Sequence, residues 1–308
     1  RQTTGPMRML LTSPFLAAWR RQKAATRLLV ALAALGTLTG GLGFLAWQRF
    51  YPVTAADGWS YRVVVDGVPY VSALARDRQG LLYVSQELKN QRGSVFTLAA
   101  DGARSLVLPG LSKPDGLAAL GDGIVVGQEE GDHPVLWLHG GKAEALFPGR
   151  NVEGVAVDGR YLYAIEDRAG DGRLLRFDTS AKILTVLRDD LSEGEGVAVC
   201  PDGQLFYTEK SKGWVKRWRS EGGDELVLGG LNAPGFLMCN DEGLWVTEDA
   251  THRARLLLLD HHGGSLQVIL RHLRSAQTVL SLAPGRLLIA EQGRGRVLEV
   301  ERSPRRRE

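Results

Sequence analysis

Six short apolar phrases, LLYVSQ, GIVVGQ, YLYAIE, LFYTEK, LWVTED and LLIAEQ, recur along the chain and each closes near a Gln or Glu. Aligned, they set Gln86, Gln128, Glu166, Glu209, Glu248 and Glu291 in one column at intervals of 38 to 43 residues. That period suits four short strands per repeat, and six such repeats predict a six-bladed β-propeller. The grammar inside each repeat supports this. A first strand follows a small polar turn (DGLAAL, EGVAVD, EGVAVC), an Asp or Gly turn reverses the chain, and the column phrase returns as the second strand. Third strands (SVFTL, VLWLH, RLLRFD) and fourth strands (SLVLP, EALFP, ILTVL) follow. Only five fourth strands lie in this order, while the unclaimed stretch WSYRVVVD at Trp59 precedes the first repeat. Pairing it with the last phrase, RVLEVE, would close the ring and remove two raw sheet edges. The expected class is all-β, a six-bladed propeller over residues 59–301 closed by an N-terminal outer strand and preceded by one transmembrane α-helix.

The first fifty residues are different material. No charge interrupts Leu28 to Trp47, and at 1.5 Å per residue this run spans a hydrocarbon core of about 30 Å. The expected organisation is a basic cytoplasmic or interfacial segment at 1–27, a transmembrane helix at 28–47, a linker at 48–58, the propeller at 59–301 and a basic tail at 302–308. Arg8, Arg20, Arg21, Lys23 and Arg27 precede the run and hold the N-terminus in the cytoplasm, which places the propeller outside it, in a periplasmic or other extracytoplasmic space. A cleaved signal peptide is the rival reading, but the run is long for one and no A-x-A site follows. Gly36 and Gly40 form a small-xxx-small pair that would admit a partner helix.

Charge must be divided before it informs. The formal net charge is +3, yet residues 1–50 hold seven basic and no acidic side chains and the last seven residues carry a net +3, leaving −7 for residues 51–301. A body of net negative charge, with the net positive charge confined to the two chain ends, argues against a nucleic-acid partner. No C-x-x-C-H is present, which excludes covalent c-type haem. Cys200 and Cys239 stand at equivalent positions in neighbouring blades, where Cβ vectors are expected to point the same way around the ring instead of at each other.

The chemistry is expected where first strands begin and second strands end, since both lie at one face. Asp115, Glu153 and Glu195 each precede a Gly at a first-strand start, with Pro234 and Gln277 in the other aligned slots. First strands line the channel of a propeller, so the three carboxylates should gather at its mouth. Either a hard cation, Ca²⁺ first, or raised pKa values must relieve their repulsion. The Gln and Glu column is expected to serve the turns structurally. Asn151 and Asn232 read as turn residues. His133 and His252 fall in the corresponding loop, between second and third strands, of two different repeats and read as packing or capping groups, and no nucleophile elbow is present.

The phrases GEGVAVCPDGQLFYTE and NVEGVAVDGRYLYAIE resemble the repeats of the gluconolactonase, paraoxonase and strictosidine-synthase-like superfamily, while DHPV and THRARL resemble NHL-type repeats. The resemblance covers roughly residues 59–301. It implies Ca²⁺ at the channel mouth, held by a Glu, Asn and Asp set just before the first-strand glycines, and Asp115, Glu153 and Glu195 match those slots. Asp115 stands where such members often carry Asn, Pro234 replaces one ligand position, and the first repeat offers only Ser72 to Leu74. The implied activity is opening of a lactone or ester, with Glu195 or Asp115 activating water. The alternative is a non-catalytic accessory subunit, its helix docked in a membrane protein complex and its acidic face presented to a partner.

Overall fold

The structure, a computed structural model, describes residues 14–99, 102–261 and 264–303. Arg8 and the arginines at 305–307 lie outside the described residues, and the side chain of Arg20 is likewise not described. Two compact units emerge, residues 1–51 and 52–308.

The first unit contains one helix, Pro14–Phe50, which continues the expected span of 28–47 through the basic segment before it. Its Arg21–Gln48 stretch is long and apolar enough to cross a membrane. Thr37 and Thr39 return their hydroxyls to the carbonyls of Ala33 and Leu35 at 3.0 and 2.9 Å, so these polar groups are satisfied within the helix.

The second unit is a six-bladed β-propeller, six antiparallel sheets of four or five strands. Blade one opens with Val71–Arg76 and Leu82–Gln86, blade two with Gly116–Leu120 and Gly123–Gly127, and blade three with Val152–Asp158 and Tyr161–Glu166. Blades four, five and six open with Val197–Val199 and Leu205–Glu209, Pro234–Asn240 and Gly243–Glu248, and Ala276–Ala283 and Arg286–Glu291. In the sixth sheet the outer strand is Trp59–Val65, antiparallel to Arg296–Arg302 with Trp59 opposite Arg302. Thr54–Ala55, inside the stretch expected as linker, adds a fifth strand to blade five opposite Leu270 and Arg271.

Alternation in the middle strands buries apolar side chains on both faces, and the core divides accordingly into clusters between neighbouring blades. Phe147 of blade two meets Phe177 of blade three with ring centroids 4.9 Å apart, and Trp59 of blade six meets Trp245 of blade five edge to face at 5.7 Å. Each blade is thus a wedge whose stability depends on both neighbours, with a fully buried Leu or Val contributing about 1.5–3 kcal/mol.

Cys200 and Cys239 form a disulfide, which corrects the expectation that they face apart. Inner strands converge on the axis, so equivalent positions of blades four and five come within 4.9 Å between Cα atoms, inside the span a bridge requires.

Candidate functional site

Ladder register defines the slots of each blade. Val152 opposes Glu166, and the same pairing places Val71 opposite Gln86, Pro234 opposite Glu248 and Ala276 opposite Glu291. The residue after each of these begins the channel lining, giving Ser72, Glu153, Gly235 and Gln277, and the equivalent glycine contacts between neighbouring blades add Asp115 and Glu195. This corrects the sequence alignment: Gly235, not Pro234, holds the fifth slot, and the slot has no side chain there. The glycines that follow three of the acids are sterically required. A Cβ on Gly116, Gly154 or Gly196 would stand 2.4, 2.2 or 2.3 Å from the carbonyl oxygen of Glu153, Glu195 or Gly235 on the next blade. Asp115, Glu153 and Glu195 therefore sit on successive inner strands at one end of the channel, 2, 3 and 1 % exposed.

The column residues do other work. Gln128, Glu166, Glu209, Glu248 and Glu291 accept the backbone N–H of Ser112, Arg150, Ser192, Asn232 and Arg274 at 2.9 to 3.1 Å. In blade one that turn residue is Pro69, which has no N–H to offer. There Gln86 reverses its role and donates Nε2 to the Pro69 carbonyl at 3.0 Å. The four glutamates are also ion-paired from their own hairpins: Glu166 with Arg173, Glu209 with Lys216 and Lys212, Glu248 with Arg255, and Glu291 with Arg296. This ring is structural.

One residue further on lies a ring that sequence reasoning missed: Glu87, Glu129, Asp167, Lys210, Asp249 and Gln292. Each donates its backbone N–H, at 2.8 to 3.0 Å, to the carbonyl of a residue with left-handed backbone: Tyr70, Lys113, Asn151, Glu193, Ala233 and Ser275 respectively. Adjacent strand residues face opposite ways. The column thus turns into the blade and its successor turns to the mouth.

Two lysines, also unforeseen, stand among these acids. Lys113 pairs with Glu87 at 2.9 Å and with Glu129. Lys210 pairs with Glu195 and, at 2.6 Å, with Asp249, which accepts a further bond from Gln277 Nε2 at 2.8 Å. Asp115 accepts the Ser72 hydroxyl. Left over are the buried Glu153 Oε2, Glu195 Oε2 and Gln277 Oε1, each without a hydrogen-bond partner. Glu195 leans over Gly235, its Oε2 3.2 Å from where a Cβ would be.

Burial raises the Asp115, Glu153 and Glu195 carboxyls well above the usual range, and neighbouring charges add to it for Asp115 (Glu87 and Glu129) and Glu153 (Glu195 and Glu129). At Glu195, Lys210 opposes burial without cancelling it. Asp167 is pushed up to about 6 by burial and then by Glu129. Burial pulls the Lys210 ammonium down, but Glu195 and Asp249 outweigh it and hold it above its ordinary value.

Ligand atoms of Glu129, Glu153 and Asp167 lie within 4.8 Å of one another, as do those of Glu87, Asp115 and Glu129. An all-oxygen donor set with an unpartnered buried carboxylate oxygen fits a hard cation such as Ca²⁺. Below the mouth the channel is a cavity of about 330 Å³ lined by the first strands of all six blades, and beside it Asp167 shares a second cavity of about 390 Å³ with Arg150, Asn151, Arg168, Asp171 and Glu193. Asn151 and Asn232 serve turns, Asn151 Oδ1 accepting the Gly131 N–H at 3.0 Å and Asn232 Nδ2 donating to the His252 carbonyl at 3.2 Å.

Comparison with known proteins agrees with this architecture. The strictosidine synthase family profile matches residues 158–221, a stretch holding Asp167, Glu195 and Lys210. A Salmo salar protein, adipocyte plasma membrane-associated protein, is 31% identical over 100 residues, covering 29% of this chain and 23% of its own length. The chain therefore spans about a quarter of that relative. Among solved structures, a gluconolactonase from Xanthomonas campestris superimposes with a TM-score of 0.66 at 16% identity, over 80% of this chain and 91% of its own. The PQQ-bound aldose sugar dehydrogenase of Streptomyces coelicolor gives 0.61 at 16%, over 80% and 99%. The chain is a six-bladed propeller of gluconolactonase-like fold that resembles strictosidine synthase across its third and fourth blades.

Proposed function

We propose that the acidic mouth binds Ca²⁺ and that the protein is a membrane-tethered, extracytoplasmic hydrolase of lactones or esters. The observation that carries the reading is the Glu129, Glu153 and Asp167 cluster, three carboxylates within 4.8 Å whose central member keeps a buried, unpartnered oxygen. These three would hold the ion. They differ from the set expected from sequence, because Lys210 already engages Glu195 and the Ser72 hydroxyl engages Asp115. Bound Ca²⁺ supplies Lewis acidity toward a carbonyl oxygen. The chain's own contribution is proton handling and positioning. Glu195 has one oxygen fixed by Lys210 and the other free toward Gly235, which suits it to take a proton from water at Oε2. Asp115, buried against Ser72, is the second candidate. The cavity beside Asp167 offers room for the acyl compound at the edge of the cluster.

The basic flank of the apolar helix supports a cytoplasmic N-terminus, and the Cys200–Cys239 disulfide supports an oxidising compartment for the propeller. The name of the Salmo salar relative is consistent with a membrane site. Calorimetric titration of chelator-treated protein tests the reading. One Ca²⁺ per chain, a rise in Tm, and calcium-dependent hydrolysis across a lactone and ester panel are expected, all lost in Glu153→Gln. A protein that neither binds Ca²⁺ nor gains thermal stability from it would return the propeller to a docking role.

A further inference from the structure

The mouth contains two carboxylate triads that share Glu129, but only one of them is short of a cation. In the triad of Glu87, Asp115 and Glu129 the Lys113 ammonium is already present, bonded to two of the three. Its backbone is fixed on both sides of the blade boundary: its N–H donates to the Leu88 carbonyl at 2.8 Å, and its carbonyl accepts from Glu129 at 2.9 Å. The side chain is mostly buried, so the ammonium is held where it is instead of sampling solvent. No other blade carries a cation in this left-handed slot, which holds Tyr70, Asn151, Glu193, Ala233 and Ser275 elsewhere. The neighbouring triad of Glu129, Glu153 and Asp167 touches Lys113 through Glu129 alone; Glu153 and Asp167 have no ion pair among the described residues, and Glu153 Oε2 is buried there without a partner.

We infer that Lys113 is a tethered counter-ion standing in a second cation position, and that it sets the mouth to accept one free divalent ion instead of two. Lys113 is thus a specificity-determining residue, not a catalytic one, and the inference rests on the reading of the mouth as a cation site. Lys210 plays the corresponding part on the opposite side, closing Glu195 and Asp249 to a free ion. A lone ammonium brings one charge and no open coordination position, whereas a divalent ion in the same place brings two charges and free positions for substrate oxygen. The lysine therefore narrows both stoichiometry and the part of the rim at which a substrate engages.

The test is Ca²⁺ stoichiometry by calorimetry on the full-length chain after chelation. Wild type and Lys113→Arg should each bind one ion, and Lys113→Met two. If wild type binds none while Lys113→Met binds one, the counter-ion inference stands and the calcium hydrolase reading falls. If wild type and Lys113→Met bind equal numbers, the inference is overturned whatever that number is. Should Lys113→Met fail to fold without metal, refolding in millimolar Ca²⁺ decides: rescue that wild type does not require supports the inference, and no rescue overturns it.

Discussion

Glu166 and Asp167 are neighbours in the chain and opposites in circumstance. Glu166 accepts the Arg150 N–H at 3.0 Å and pairs with Arg173 at 2.6 Å, so every demand of a buried carboxylate is met. Asp167 looks into the mouth among other acids and is pushed up to about 6 by burial and Glu129. The same alternation runs around the ring, from Gln128 and Glu129 to Glu248 and Asp249, with Glu129 and Asp249 engaged at the mouth by Lys113 and Lys210. Strand alternation alone separates a residue that holds the blade together from one available to a ligand.

Breaking a satisfied carboxylate should have the largest effect. Glu248→Ala leaves Arg255 and the Asn232 N–H without their partner, and a loss of about 3–5 kcal/mol is expected in chemical denaturation. The disulfide separates stability from binding, because it bridges the opposite ends of two inner strands. Cys200→Ser with Cys239→Ser should lose about 2–4 kcal/mol and leave Ca²⁺ affinity unchanged. The pH response comes next. The folded pKa of Asp167 lies above its unfolded value, so metal-free wild type binds more protons folded than unfolded between about pH 4 and 6, and this residue's contribution falls as pH rises through that window. Asp167→Asn should therefore gain on wild type, by on the order of 1–2 kcal/mol after screening, as pH rises from 4 to 7, and the gain should disappear in saturating Ca²⁺. Smallest is Gln86→Ala, which removes one neutral bond to the Pro69 carbonyl and should cost about 1 kcal/mol or less. A large loss in metal-free Asp167→Asn would erase the distinction between the two rings.

Much of the fold was legible because blade-forming residues repeat. The column at Gln86 through Glu291 and the six repeats follow from periodicity, and the apolar helix from an uncharged run of spanning length. The site was legible only in part, because its chemistry lies where repetition fails. Lys113 and Lys210 occupy slots filled by other residues in the remaining blades, and aligning the repeats one residue past the column would have exposed Lys210. Pro234 was misplaced because Gly235 fills the acid slot itself and Phe236 follows it, so an alignment on the Gly after each acid slips by one residue in blade five. The disulfide was missed because strand direction was considered without the convergence of inner strands on the axis.

The glycine step after Asp115, Glu153 and Glu195 has one more consequence. Because backbone packs on backbone there, with no space for even a methyl group, the width of the opening is set by the main chain and not by whatever side chains surround it. Three sockets of fixed pitch result, at Asp115, Glu153 and Glu195, and exchanging an acid in one of them for another side chain rewrites the local electrostatics without reshaping that arc of the ring. A scaffold of this kind can change what it admits one wedge at a time.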